Sequence, residues 1–210
     1  MRKSLRISRR DLQLVGAFAI VATIVASIGA YAYLNPPASD EFLAMWVLGA
    51  NGLAEHYYPN DNPNLKPSEN VNWTLGVYNH MGRIEYIVVR VKLLNSTLPS
   101  PDGVTGTPSP TSPLLEMRRI LVDNETWSLP FSWEILALAK KGQSLSITGM
   151  VIQQMPFEGT LASTVSGSQF RFVFELWFFD ESSNDLAFSW QSMGVQHAVW
   201  TQIWFNATQT

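Results

Sequence analysis

Phe170-Arg171-Phe172-Val173-Phe174-Glu175-Leu176-Trp177-Phe178-Phe179-Asp180 is the stretch on which the fold turns. In an extended chain successive side chains point to opposite faces. Phe170, Phe172, Phe174, Leu176 and Phe178 therefore line one face, and Arg171, Val173, Glu175, Trp177 and Phe179 the other. A strand that is apolar on both faces is either a central strand covered on both sides or an aromatic platform open to a partner.

Similar patterns lie on either side. Val71-Asn72-Trp73-Thr74-Leu75-Gly76-Val77-Tyr78 alternates with a period of two, and Ile84 to Leu94 places Ile87, Val89, Val91 and Leu93 together. With Asn79-His80-Met81-Gly82 as a turn between them, the two runs read as a hairpin or neighbouring strands. Leu114 to Val122 is a further strand, as is the stretch marked by Leu145, Ile147 and Val151. A turn at Glu181–Asp185 is followed by strands over Leu186 to Trp190 and Val195 to Phe205. Glu134 to Lys141 reads as one or two helical turns ended by Gly142. Residues 95–113, with five prolines among Ser, Thr and Gly, read as a flexible surface loop without a buried element. Seven or so short strands predict an all-β chain, an immunoglobulin-like antiparallel β-sandwich over residues 41–210.

Ahead of it, Leu12 to Leu34 is a run of 23 residues without a charge. As a helix it would extend roughly 34 Å, enough for a single transmembrane pass. Residues 1–11 carry Arg2, Lys3, Arg6, Arg9 and Arg10 against Asp11, a net of +4, and the rest of the chain has a net of −7. The excess of positive charge places a basic tail (1–11) in the cytoplasm, a helix in the bilayer (12–34) and a Pro-containing spacer (35–40) before an extracytoplasmic domain. Ala30-Tyr31-Ala32 offers a signal-peptide cleavage site, but the apolar run exceeds the usual length of such peptides. An acidic domain argues against nucleic-acid binding.

The chain has no cysteine, so thiolate chemistry, disulfides and cysteine-ligated metals are excluded. The three histidines, His56, His80 and His197, belong to no metal-ligand motif, and no nucleophile elbow, phosphate loop or dinucleotide fingerprint is present. No catalytic residue, metal ligand or cofactor is assigned. Asn72, Asn95, Asn124 and Asn206 stand in Asn-x-Ser/Thr sequons and are glycosylation candidates. Of eight tryptophans, Trp200 and Trp204 share a strand face, and with Trp177 they form a candidate recognition surface.

Val47 to Pro59 (VLGANGLAEHYYP), followed by VNWTLGVYNH at Val71 to His80, resembles the archaeal domain of unknown function 1616 family, predicted membrane proteins with an "LG-x-x-G-x-A-x-x-Y-P" opening and a strand ending in "V-x-N-H-E". Phe174–Asp180 and Val199–Ala207 occupy the places of that family's closing strands. An extra tyrosine before Pro59, Met81 in place of Glu and Gln202 in place of His are departures. The resemblance implies an envelope-associated β-domain without an assigned activity. The expected role is a non-enzymatic binding or structural module of the cell envelope, or an accessory subunit of a larger complex with a protein partner. A carbohydrate-binding module using tryptophans is the alternative, and an exported hydrolase built from distant carboxylates the third.

Overall fold

The computed structural model describes residues 9–34, 41–192 and 194–209. Arg2, Lys3, Arg6 and the spacer Asn35–Ser39 lie outside these residues. The chain divides into two compact units, Met1–Asp40 and Glu41–Thr210.

The first unit contains α1 (Arg9–Leu34), 26 residues long. Ala and Leu favour helix, and the many β-branched residues do not prevent it when no competing partner strand is offered. Thr23 and Ser27 return their hydroxyls to the carbonyls of Ala19 and Thr23, each at 2.8 Å, so these polar groups are satisfied within the helix. Taken over the described residues, no helix is long and apolar enough to cross a membrane. The uncharged run Leu12–Leu34 makes up most of this helix.

The second unit is a two-sheet β-sandwich of twelve described strands. One sheet has the order β1 (Phe42–Leu48), β3 (Val71–His80), β6 (Thr126–Lys141), β7 (Ser144–Ile152) and β8 (Met155–Val165), antiparallel throughout. The other runs β11 (Ser189–Ser192), β12 (Val195–Ala207), β9 (Phe170–Asp180), β4 (Glu85–Asn95) and β5 (Leu115–Leu121). The short β10 (Asp185–Ala187) adds to β9, and β2 (Asn64–Leu65) pairs with β12 in parallel.

The core lies between the sheets. Val71, Trp73, Leu75 and Val77 of β3 face inward, as their alternation predicts, and so do Ile87, Val89, Val91 and Leu93 of β4. At its centre Phe172 of β9 meets Trp73, Phe131 and Trp133 of the opposite sheet at ring-centroid distances of 5.8, 6.2 and 4.8 Å, together with Phe174 and Phe205 of its own. Trp46 of β1 lies over Gly76, its register partner on β3; a Cβ at that position would run into the indole.

Three expectations are corrected. The runs Val71–Tyr78 and Ile84–Leu94 are not a hairpin: β3 and β4 belong to different sheets, and the chain crosses the sandwich between them. The buried Asn79 holds that corner, donating from Nδ2 to the carbonyls of Arg83 (2.8 Å) and Leu121 (3.1 Å) and accepting from the Met81 N–H (3.0 Å). The apolar sets of the two strands thereby face one another across the core instead of lying side by side. Glu134–Lys141 is not helical but the second half of β6, paired with β7. Helix propensity there amounts to tenths of a kcal/mol per residue, less than the ladder bonds and the burial of Ile135 supply. Residues 95–113 form a loop, yet Pro101 and Ser109 within it are buried, and an Asp102–Thr107 bridge closes its tip.

Candidate functional site

The outward face of the second sheet separates into a covered half and an open half. Strand register defines its rows. Outward-facing Glu116, Arg90, Glu175 and Trp200 align across β5, β4, β9 and β12; nearer the other end of the strands, Ile120, Tyr86, Phe179 and Leu186 align across β5, β4, β9 and β10.

The 95–113 loop covers the first half. Beneath it Glu175, fully buried, and Lys92, 4% exposed, form an ion pair with Nζ 2.8 Å from Oε2. Charges so deep are stable only when fully hydrogen-bonded. Glu175 accepts from the Ser109 N–H (2.8 Å), the Ser109 hydroxyl (2.7 Å) and Trp177 Nε1 (3.1 Å). Lys92 donates its remaining bond to the Ser109 carbonyl at 2.8 Å. At the other end of the loop the buried Arg171 donates to the Ser100 hydroxyl (2.6 Å), to Gln202 Oε1 (2.7 Å) and to the Leu98 carbonyl. These partners are neutral oxygens, and burial holds the Arg171 pKa below its ordinary value. The loop is thus pinned by charged groups at Leu98–Ser100 and again at Ser109.

That arrangement places the candidate tryptophans. Trp200 and Trp204 do share a face of β12. Trp200 is half-buried beside the loop at Gly103, and Trp177 is packed between the Arg90 guanidinium (3.9 Å) and Phe188 (5.6 Å). Trp204 is the exposed one, and Arg171 lies over its ring at 4.6 Å. The three indoles do not form a common open platform. Trp73 and Trp133 belong to the core.

The open half is the row Ile120–Tyr86–Phe179–Leu186. Ile120 is 64% exposed and Phe179 38%, and Ile84 and Val122 stand exposed at the same end of the strands. The row borders a shallow depression of about 410 Å³ lined by Arg83, Ile84, Tyr86, Ile120, Phe179 and Glu181, with Glu85 and Asp180 also on its wall. Arg83 Nε donates to Glu85 Oε1 at 2.7 Å. Burial raises the pKa of the Glu85 carboxyl; the Arg83 bond and charge offset this in part, and Glu181 and Glu41 add to the rise. A carboxyl with a raised folded-state pKa binds its proton more tightly when folded. Its contribution to stability is complete below its unfolded value and is lost as pH rises through the folded one. Glu85→Gln, which keeps an acceptor for Arg83, is therefore expected to lose less stability than the native chain between about pH 4 and pH 7. Urea titrations at both pH values check this, and equal losses in the two proteins would exclude Glu85 as their source.

The histidines take structural partners. His56 Nδ1 is 2.7 Å from Asp61 Oδ1, a contact that raises the His56 pKa; His80 Nδ1 is 2.6 Å from Asn124 Oδ1; His197 stacks on Trp190 at 5.5 Å. Among the described residues no group of three or more His, Asp or Glu side chains is placed to hold a metal. Of the four sequon asparagines, Asn72 and Asn124 are exposed and Asn95 and Asn206 half-buried. The Nδ2 groups of Asn95, Asn124 and Asn206 donate to the Ser163 carbonyl, Asp123 and Asn64, respectively. Asn72, pointing outward from β3, is thus the most accessible for attachment.

Sequence reading did not find the open row, because Ile120 and Phe179 look like ordinary members of apolar strands. The buried pair left a signal: Lys92 interrupts VRVKLL and Glu175 interrupts FVFELWF, opposite charges each set within an apolar run.

No family model and no curated protein matches the chain. The resemblance noted above rests on the quoted motifs alone. Among solved structures, the chain is similar to the CARDB domain of a Pyrococcus furiosus protein, solved in complex with di-metal ions, at 9% identity and a TM-score of 0.36 over 81% of this chain and 96% of that one. It is also similar to part of a β-glucosidase from Listeria innocua, solved with gluconolactone (9% identity, TM-score 0.32) and with glucose (10%, 0.31). These matches span 82% and 77% of this chain but 17% and 16% of the enzyme. Likeness at this level carries no argument about what the chain does.

Proposed function

We propose that the chain is a membrane-anchored module of the cell envelope, with its β-domain outside the membrane and its role one of binding or assembly with a protein partner, without catalysis. The observation that carries this reading is the helix Arg9–Leu34, whose uncharged run from Leu12 follows a cluster of basic residues and precedes the β-domain. The open row on the second sheet is the surface at which a protein contact finds exposed apolar side chains. The antiparallel two-sheet arrangement, with a chain crossing between sheets at Asn79, supports an immunoglobulin-like reading of the sandwich. Ion pairs such as Lys92–Glu175 are too enclosed to act on a substrate.

The test is topology in native membranes. The full chain is expected to stay with the membrane pellet after alkaline carbonate extraction. In right-side-out vesicles its β-domain should be digested by external protease. Release by carbonate would overturn the anchor, and an intact mass beginning after Ala32 would convert the helix into a cleaved leader.

A further inference from the structure

We infer that the open row Ile120–Tyr86–Phe179–Leu186 is the contact face between two copies of this chain. The row crosses four neighbouring strands, about 14 Å at ordinary strand spacing. The pinned loop covers much of the other half of the face, so the row is bounded on that side.

The charges at its corners select the partner. Arg118 lies on the outward face of β5, two residues from Ile120 and in register with Val88. Its guanidinium is exposed, and its contact Glu116 is shared with Arg90, so the three charges leave this corner net positive. Diagonally across the row, beyond Phe179, stand Asp180 and Glu181; with Glu41 nearby they outnumber Arg83, so that corner is net negative. A two-fold axis lying in the plane of the face, perpendicular to the diagonal from Arg118 to Glu181, exchanges the two corners. It sets each copy's Arg118 against the acids of the other and stacks the apolar rows between them. An isologous contact requires such self-complementarity, and a heterologous one would not.

The contact is small beside permanent interfaces and belongs with weak, reversible ones. Confinement to a common membrane would raise the effective concentration of the two copies; this clause alone rests on the anchoring proposed above.

The test uses the full chain in mild detergent, followed by analytical ultracentrifugation over a concentration series, so its outcome is independent of membrane location. A reversible monomer–dimer equilibrium is expected. Arg118→Glu and Glu181→Arg should each weaken it at least about tenfold by placing like charges in contact. The doubly substituted R118E/E181R chain, with both corners exchanged, should return to within about threefold of native. Because the chain has no cysteine, Tyr86→Cys near the axis gives an unambiguous second readout, a disulfide-linked dimer under mild oxidation. A chain monomeric up to about 0.1 mM would overturn the inference. So would a dimer that neither single reversal weakens, or failure of the double to recover.

Discussion

Glu175→Gln is expected to destabilise the β-domain by about 3–5 kcal/mol, the usual cost of breaking a buried ion pair by removing one partner. The amide keeps the shape of the carboxylate and can still accept from Ser109. What it removes is the charge opposite Lys92, which is left 4% exposed with a carbonyl as its other partner. Lys92→Met together with Glu175→Gln removes both charges and should return to within about 1–2 kcal/mol of native, since neither ion then has to be desolvated. Urea unfolding of the full chain followed by tryptophan emission measures this cleanly, because all eight indoles lie in residues 41–210. A single variant within about 1 kcal/mol of native would show that the pair contributes little beyond a neutral hydrogen bond.

Phe172→Ala, on the same strand and the opposite face, is expected to cost a similar amount, about 3–5 kcal/mol. Its ring touches three aromatic rings of the facing sheet and two of its own, so truncation opens a void that neither sheet can collapse into without disturbing the other. Phe172→Leu should cost about 1–2 kcal/mol, since most of the volume is kept. The same unfolding experiment checks both. If alanine cost no more than leucine, the rings around Phe172 would have to repack freely, contrary to a tightly interlocked centre.

These two residues show what the sequence made legible and what it hid. The alternation in β3 and the apolar runs of β4, β9 and β12 mark strands, and the structure bears out that assignment. Phe170–Asp180 is a central strand, covered on one face by the core and on much of the other by a loop. Which strands are neighbours was not legible: β3 and β4 have similar apolar patterns, and the bonds that hold the crossing corner, those of the Asn79 side chain among them, form only in the folded chain. Glu134–Lys141 carries helix-favouring residues whose fate is decided by β7 alongside. β8 is not assigned from the sequence, because an edge strand half-open to water has no apolar run to declare it. The tryptophan surface was expected on the correct strands but not in its true setting, since a Pro- and Gly-containing loop gives no sign of where it will lie. Its pinning residues, Lys92 of β4 and Arg171 and Glu175 of β9, come from two strands far apart in the chain and converge only in the folded sheet.

The position of β9 also sets an order of events as the chain is made. Lys92 and Glu175 are 83 residues apart, and β4 has β9 as its neighbour along one whole edge. While the polypeptide emerges, β6, β7 and β8 can pair in sequence through short turns and β4 can pair with β5, whereas the other edge of β4 must wait for β9 to arrive. Closing so long a loop is entropically costly, and non-local pairing of this kind is slow. Until residue 180 has been synthesised, one sheet lacks its middle, the aromatic centre lacks Phe172, and Lys92 has no carboxylate. The domain is completed only when its C-terminal third, β9 followed by β12, has arrived.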